Sequence, residues 1–158
     1  MKNKKAFLLI ILLVMAMLYA FAGCNYAGYE IPDEDKILVN IQLDLDEDIG
    51  LLLTEWDING QTGGSGACNA DRSMLKRDSS NEWEFDRVML EKPADTYEVK
   101  LKFIVVTEYF DPNYDFDYPD EYKIPMNEIA FTAKFGETYY VTITGGHQEG
   151  YQAVLQNQ

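Results

Sequence analysis

The chain has 158 residues, 47% of them hydrophobic, and carries 27 acidic side chains against 13 basic ones, a formal charge of −14. That balance excludes nucleic acid as a partner, because its binders need basic surface to displace counterions from phosphate. It also excludes a basic patch gripping anionic lipid, and leaves cations, neutral glycans and basic protein surfaces as the partners to expect.

In chain order, Lys2, Lys4 and Lys5 precede an unbroken apolar run from Ala6 to Ala22, which Gly23 and Cys24 close. A basic start, an apolar middle and a small-residue junction form a secretory signal. The stretch Phe21-Ala22-Gly23-Cys24 resembles the lipobox of bacterial lipoproteins. The resemblance implies that residues 1–23 are removed and that the Cys24 thiol takes a diacylglyceryl group. The mature chain is then extracytoplasmic and held at the bacterial cell membrane. Two acyl chains suffice for stable anchoring, where one binds only marginally. Two alternatives stay open: ordinary cleavage after Ala20-Phe21-Ala22, and retention of the 17-residue apolar run as an uncleaved helix, near the lower limit of about 17–25 residues for a span.

Three of the 13 basic residues lie in the signal, so residues 24–158 hold 10 basic against 27 acidic side chains. Their number suits one domain with its own core. We divide the chain into the signal (1–23), a tether (24–36) and a single domain (37–158). With Cys24 alkylated, Cys68 has no intramolecular partner and the fold must stand without a disulfide. Cys68 is expected as a small buried hydrophobe. A nucleophilic pairing with His147, the only histidine, is the chemical alternative.

From residue 37 onward, period-two alternation dominates, the mark of half-buried strands. Ile37, Val39, Ile41, Leu43 and Leu45 share one face, with Asn40, Gln42 and Asp44 on the other. The run 49–58 is apolar in both phases and reads as a central strand. Residues 60–69, rich in Gly and Ser, read as a flexible connection, and one or two helical turns are expected over 70–77. Strands follow around Trp83 and Phe85, over 97–109, and at 129–133, 139–144 and 151–155, the last three as a meander joined by glycine turns. Some seven strands with no sustained helical period predict an all-β fold. We expect an antiparallel β-sandwich of immunoglobulin-like, Greek-key type, with a small β-barrel as the alternative.

The segment 109–122 carries six aromatic and five acidic side chains among its 14 residues. Loops on a rigid sandwich are where such folds place binding. Asp111, Asn113, Asp115 and Asp117 put an oxygen at every second position, suiting a hard cation that takes about six to eight oxygens. This makes Ca²⁺ a possible ligand, though Phe116 stands where an EF-hand loop needs Gly and Tyr122 where it needs a bidentate Glu. The acidic turns at Asp44, Asp46, Glu47 and Asp48, and at Asp57 and Asn59, could add ligands. Alternatively Tyr109, Tyr114, Phe116, Tyr118 and Tyr122 form a recognition surface for a glycan or a protein partner. A third reading is an edge strand whose charged outer face deters pairing. No base–nucleophile or metal–ligand constellation marks an enzyme, and a carboxylate-pair hydrolase is the minor alternative. The expected function is a lipid-anchored binding or interaction module with no cofactor beyond the lipid and the possible Ca²⁺. The alternative is a non-catalytic accessory subunit of a cell-envelope assembly.

Overall fold

A computed structural model describes residues 33–90, 93–108 and 118–156. The signal, Cys24 and residues 109–117 lie outside the described residues. Residues 31–158 form one compact unit. Its strands are β1 (Lys36–Leu45), β2 (Leu51–Ile58), β3 (Gln61–Ala67), β4 (Ser80–Asp86), β5 (Tyr97–Val106), β6 (Lys123–Ala133), β7 (Thr138–Gly146) and β8 (Gly150–Leu155). They form two four-stranded sheets, ordered β4-β1-β7-β8 and β3-β2-β5-β6. Among the described residues each sheet is open at both edges, and the fold is an all-β sandwich rather than a closed barrel.

Alternation sets the interior. Ile37, Val39, Ile41 and Leu43 of β1 face Leu52, Ile58, Leu101 and Phe103 of the second sheet in one buried core. Burying each such side chain contributes about 1.5–3 kcal/mol. Aromatic pairs join the sheets: Trp56 meets Phe85 edge-on at 5.6 Å, and Trp83 lies 6.1 Å from Phe103. The apolar outer phase of β2 has its own cover, because Leu51 and Val106 form a small second cluster with Tyr118.

Four expectations are corrected. Eight strands stand among the described residues where seven were expected, because 61–67 is a strand and not a flexible connection. Asn59 (φ 51) and Gly60 (φ 84) form a tight turn of the kind that joins two-residue hairpins, and β3 pairs with β2 from Gln61↔Ile58 to Ala67↔Leu52. Second, no helix occupies 70–77. The Asn69 side chain instead donates to Ser73 Oγ and to the Met74 carbonyl at 3.0 Å each, and Leu75 bridges to Ile49. Third, the sheets are not wholly antiparallel, since β1 runs parallel to β7 from Leu38↔Thr138 to Leu45↔Gly145. Fourth, β6, β7 and β8 are not a meander: β7 and β8 pair as a hairpin, while β6 pairs with β5 in the other sheet.

The registers place 46–50, 68–79, 107–108, 118–122 and 147–149 at one end of the sandwich. Residues 59–60, 87–90, 93–96 and 134–137, and residues 33–35, lie at the other.

Candidate functional site

Of the groups proposed as additional cation ligands, Glu47, Asp48, Asp57 and Asn59 prove to be structural fasteners. Glu47 accepts the His147 backbone N–H at 2.6 Å and the Tyr151 hydroxyl at 2.5 Å, pinning the β7–β8 hairpin to the β1–β2 loop. The Tyr151 bond, then the His147 amide, hold the Glu47 carboxyl below its ordinary value of 4.5. Burial, and then Glu47, push the Tyr151 hydroxyl up in turn. Asp48 accepts Lys76 Nζ at 2.7 Å and the Arg77 N–H at 3.0 Å, fastening the 68–79 segment. Asp57 and Asn59 lie at the opposite end from Glu47 and Asp48, where they accept the Gly60 and Glu98 N–H groups. Among the described residues, no group of three or more His, Cys, Asp or Glu side chains is placed to hold a metal.

A lowered carboxyl pKa stabilises the fold fully above the unfolded value and loses that contribution as pH falls through the folded one. Glu47→Gln is therefore expected to flatten the acid limb of a melting-temperature profile between about pH 5.5 and pH 3. An unchanged acid limb would mean that the Glu47 carboxylate adds nothing to the fold.

Of the proposed contact residues, Tyr118 is 2% exposed and packs on Leu51 and Val106, with Tyr122 half-buried beside it. Tyr109, Tyr114 and Phe116, with Asp111, Asn113, Asp115 and Asp117, lie outside the described residues. Cys68 is exposed, contrary to the expected burial, because it follows the last residue of the edge strand β3. His147 belongs to the β7–β8 turn at the other lateral edge of the sandwich, so no Cys–His pair forms.

The feature that sequence reading missed is the outer face of the first sheet. The registers align Ser80, Gln42, Thr142 and Val154 in one row across β4, β1, β7 and β8. The next row is Glu82, Asn40 and Tyr140, with Gln156 donating its N–H to the Tyr140 carbonyl at 2.8 Å. Apart from Glu82 on the edge strand, both rows are uncharged, in a chain of formal charge −14. Tyr140 is 52% exposed and Val154 46% exposed.

A depression of about 580 Å³ runs over Asn40, Gln42, Ser80, Tyr140, Thr142 and Gln156. Two of its amides, Gln42 and Gln156, are held in place before any ligand arrives. Gln42 Nε2 donates to the Leu43 and Asp78 carbonyls at 2.9 and 3.0 Å, leaving Oε1 as an acceptor. Gln156 Nε2 donates to Thr142 Oγ1 at 3.0 Å. The outer face of the second sheet is different in kind, because it carries Glu55–Lys102 at 3.3 Å, with Asp57 opposite Lys100 and Glu128 opposite Lys102.

No family model and no curated protein matches the chain. Among solved structures, it is similar to a non-hemolytic pneumolysin from Streptococcus pneumoniae (9% identity, TM-score 0.39, 78% of this chain and 24% of that one). It is similar also to listeriolysin O (5%, TM-score 0.39, 78% and 22%) and to the human-specific toxin intermedilysin (6%, TM-score 0.39, 78% and 23%). The chain thus spans about a quarter of the length of these proteins, and a likeness at this level says nothing of activity.

Proposed function

We propose that this chain is a non-catalytic, extracytoplasmic binding module, anchored through a lipid on Cys24, that holds a neutral glycan on the outer face of its first sheet. One observation carries the reading: an exposed tyrosine among amides and hydroxyls, in two rows whose one charge is Glu82 on the edge strand, on a protein that is otherwise strongly acidic. An aromatic ring offers an apolar face to the C–H face of a pyranose, and fixed amides supply the few oriented polar groups that such sites use. Side chains already immobilised lose little entropy on binding. In this reading the sandwich is an immunoglobulin-like, Greek-key scaffold, supported by four connections that cross between its sheets. The segment 109–122 is a second contact region.

The test is affinity electrophoresis of the purified protein through gels containing neutral polysaccharides, among them a β-glucan, a mannan and a xylan. Retardation by one of them, lost in Tyr140→Ala while the melting temperature holds, is the expected result. Unretarded migration in every gel would sink the reading. The anchor is tested by thiol titration of membrane-extracted protein in denaturant. Alkylation of Cys24 leaves Cys68 as the single titratable thiol, whereas two thiols would show that Cys24 is free.

The accessory-subunit reading is favoured by a different observation, the open glycine-rich edge of the second sheet.

A further inference from the structure

We infer that the free edge of β3 accepts an extended segment of another protein, rich in alternating basic and apolar residues, as an added strand. This rests on a surface separate from the proposed glycan face.

Among the described residues, no strand pairs with the outer side of β3. β3 reads Gln-Thr-Gly-Gly-Ser-Gly-Ala, and Thr62, Gly64, Ser65 and Gly66 are all exposed. It holds neither charge, proline nor bulge, the devices that usually protect an edge from pairing. The turn at Asn59-Gly60 fixes which backbone groups are unused. In a two-residue hairpin the flanking residues, here Ile58 and Gln61, form the hydrogen-bonded pair, and the phase alternates from there. The N–H and C=O groups of Thr62, Gly64 and Gly66 therefore point away from β2, towards the empty side. The N–H of Asn59 donating to the Glu98 carbonyl across β5 agrees with that phase.

The same positions open an apolar groove. Residues directly opposite in a ladder share a face, so a residue of the added strand paired with Gly66 stands on the outer face beside it. A Cβ on Gly66 would be 3.3 Å from Leu53 Cδ2 and 3.8 Å from Leu51 Cδ1, so these side chains lean across the glycine towards the edge. Leu51, Leu53, Ile104 and Tyr118 line a groove of about 400 Å³ there. At the other end of β3, Gln61 Nε2 donates to the Met89 carbonyl at 2.5 Å, setting the exposed Val88 and Met89 alongside.

Charge selects the occupant. This lateral edge is flanked by Glu55 and Asp57 on the second sheet and by Glu82 and Glu84 on β4 of the first. Lys102 and Lys36 are set against Glu55 and Glu84, at 3.3 and 3.0 Å, and Lys100 stands opposite Asp57, so these four acids meet three lysines and Glu82 leaves the rim net negative. A second copy of the chain would bring the same acids face to face at −14 per chain. A basic, apolar-alternating strand meets both the groove and its rim, the mode in which backbone bonds give affinity and alternate pockets give specificity.

The experiment uses the full chain in detergent and a fluorescein-labelled heptapeptide of alternating Lys and Leu. Two control peptides accompany it: the same sequence N-methylated at alternate residues, and a Glu-Leu analogue. The expected result is saturable anisotropy with new amide-exchange protection at Thr62, Gly64 and Gly66. Binding should weaken by about tenfold or more on N-methylation, which removes several ladder bonds, and vanish for the Glu-Leu peptide. Gly64→Lys, whose Cβ would meet only the Thr54 carbonyl at 3.4 Å, is expected to weaken it similarly. Absence of Lys-Leu binding overturns the inference. So does binding indifferent to N-methylation, which marks unspecific charge attraction, and so does protection of the same amides by self-association of the protein alone.

Discussion

Phe103→Ala is expected to cost about 3–5 kcal/mol and to lower the melting temperature by roughly 10 °C. Phe103 has no exposed surface, and its ring lies 6.1 Å from that of Trp83 in the facing sheet. It also stands where the β5–β6 register shifts, between Lys102 and Ile104. Strands flanking such an irregularity cannot close on a void without losing the pairs on either side, so the cavity term persists. Urea unfolding would measure the loss, with Tyr140→Ala on the solvent face as a control expected within about 0.5 kcal/mol of the parent. A Phe103→Ala cost below about 1 kcal/mol would show that the interior relaxes around the gap.

Gly145→Ala is expected to be the most damaging of the glycine substitutions, at about 2–4 kcal/mol. Gly145 has φ +96, and a Cβ there would come within 2.2 Å of the Gly150 carbonyl oxygen and 3.4 Å of Tyr151 Cα. Those are backbone atoms of the paired strand, so no rotamer change relieves the overlap. Gly60 supplies the comparison, since it has φ +84 but nothing within 4 Å of the position a Cβ would take. Gly60→Ala should thus cost only the left-handed strain of about 1–2 kcal/mol. The same hairpin carries the His147 N–H that Glu47 accepts, so Gly145→Ala should also change the acid limb of the stability profile. Equal costs for the two alanine variants in urea unfolding would show that the β7–β8 backbones spread apart freely.

The strands that alternate apolar with polar residues were legible from the sequence: β1, β5, β7 and β8 overlap the ranges that the pattern marks, and Ile37, Val39, Ile41, Leu43 and Leu45 of β1 face inward as expected. β3 was not, because Gly, Ser and Thr carry no apolar signal for alternation to express. Asn59-Gly60 was the cue, since Asn-Gly between two candidate strands is the strongest short hairpin signal. The 70–77 segment has helix-compatible residues, but the Ile49↔Leu75 bridge and the Asp48 fastening override local preference. The polar face was hidden for another reason. Asn40 and Gln42 on one strand, and Tyr140 and Thr142 on another, are only the solvent phase of ordinary strands until the parallel pairing of β1 with β7 sets them side by side. Acid content, conversely, overstated the chance of a cation site, because Glu47 and Asp48 spend their oxygens on loop amides and neighbouring side chains.

The parallel pairing of β1 with β7 has a kinetic side. β1 is flanked by β4 and β7, and the second of these begins some hundred residues later, with Leu38 opposite Thr138. Distant pairings of this kind make folding slow, because the loop entropy is lost before any contact compensates for it. No stable first sheet can exist until almost the whole chain is available. For a protein that must be threaded through a membrane pore as an open chain, as the proposed route requires, that delay is protective: premature folding on the wrong side is postponed by the order in which the strands occur.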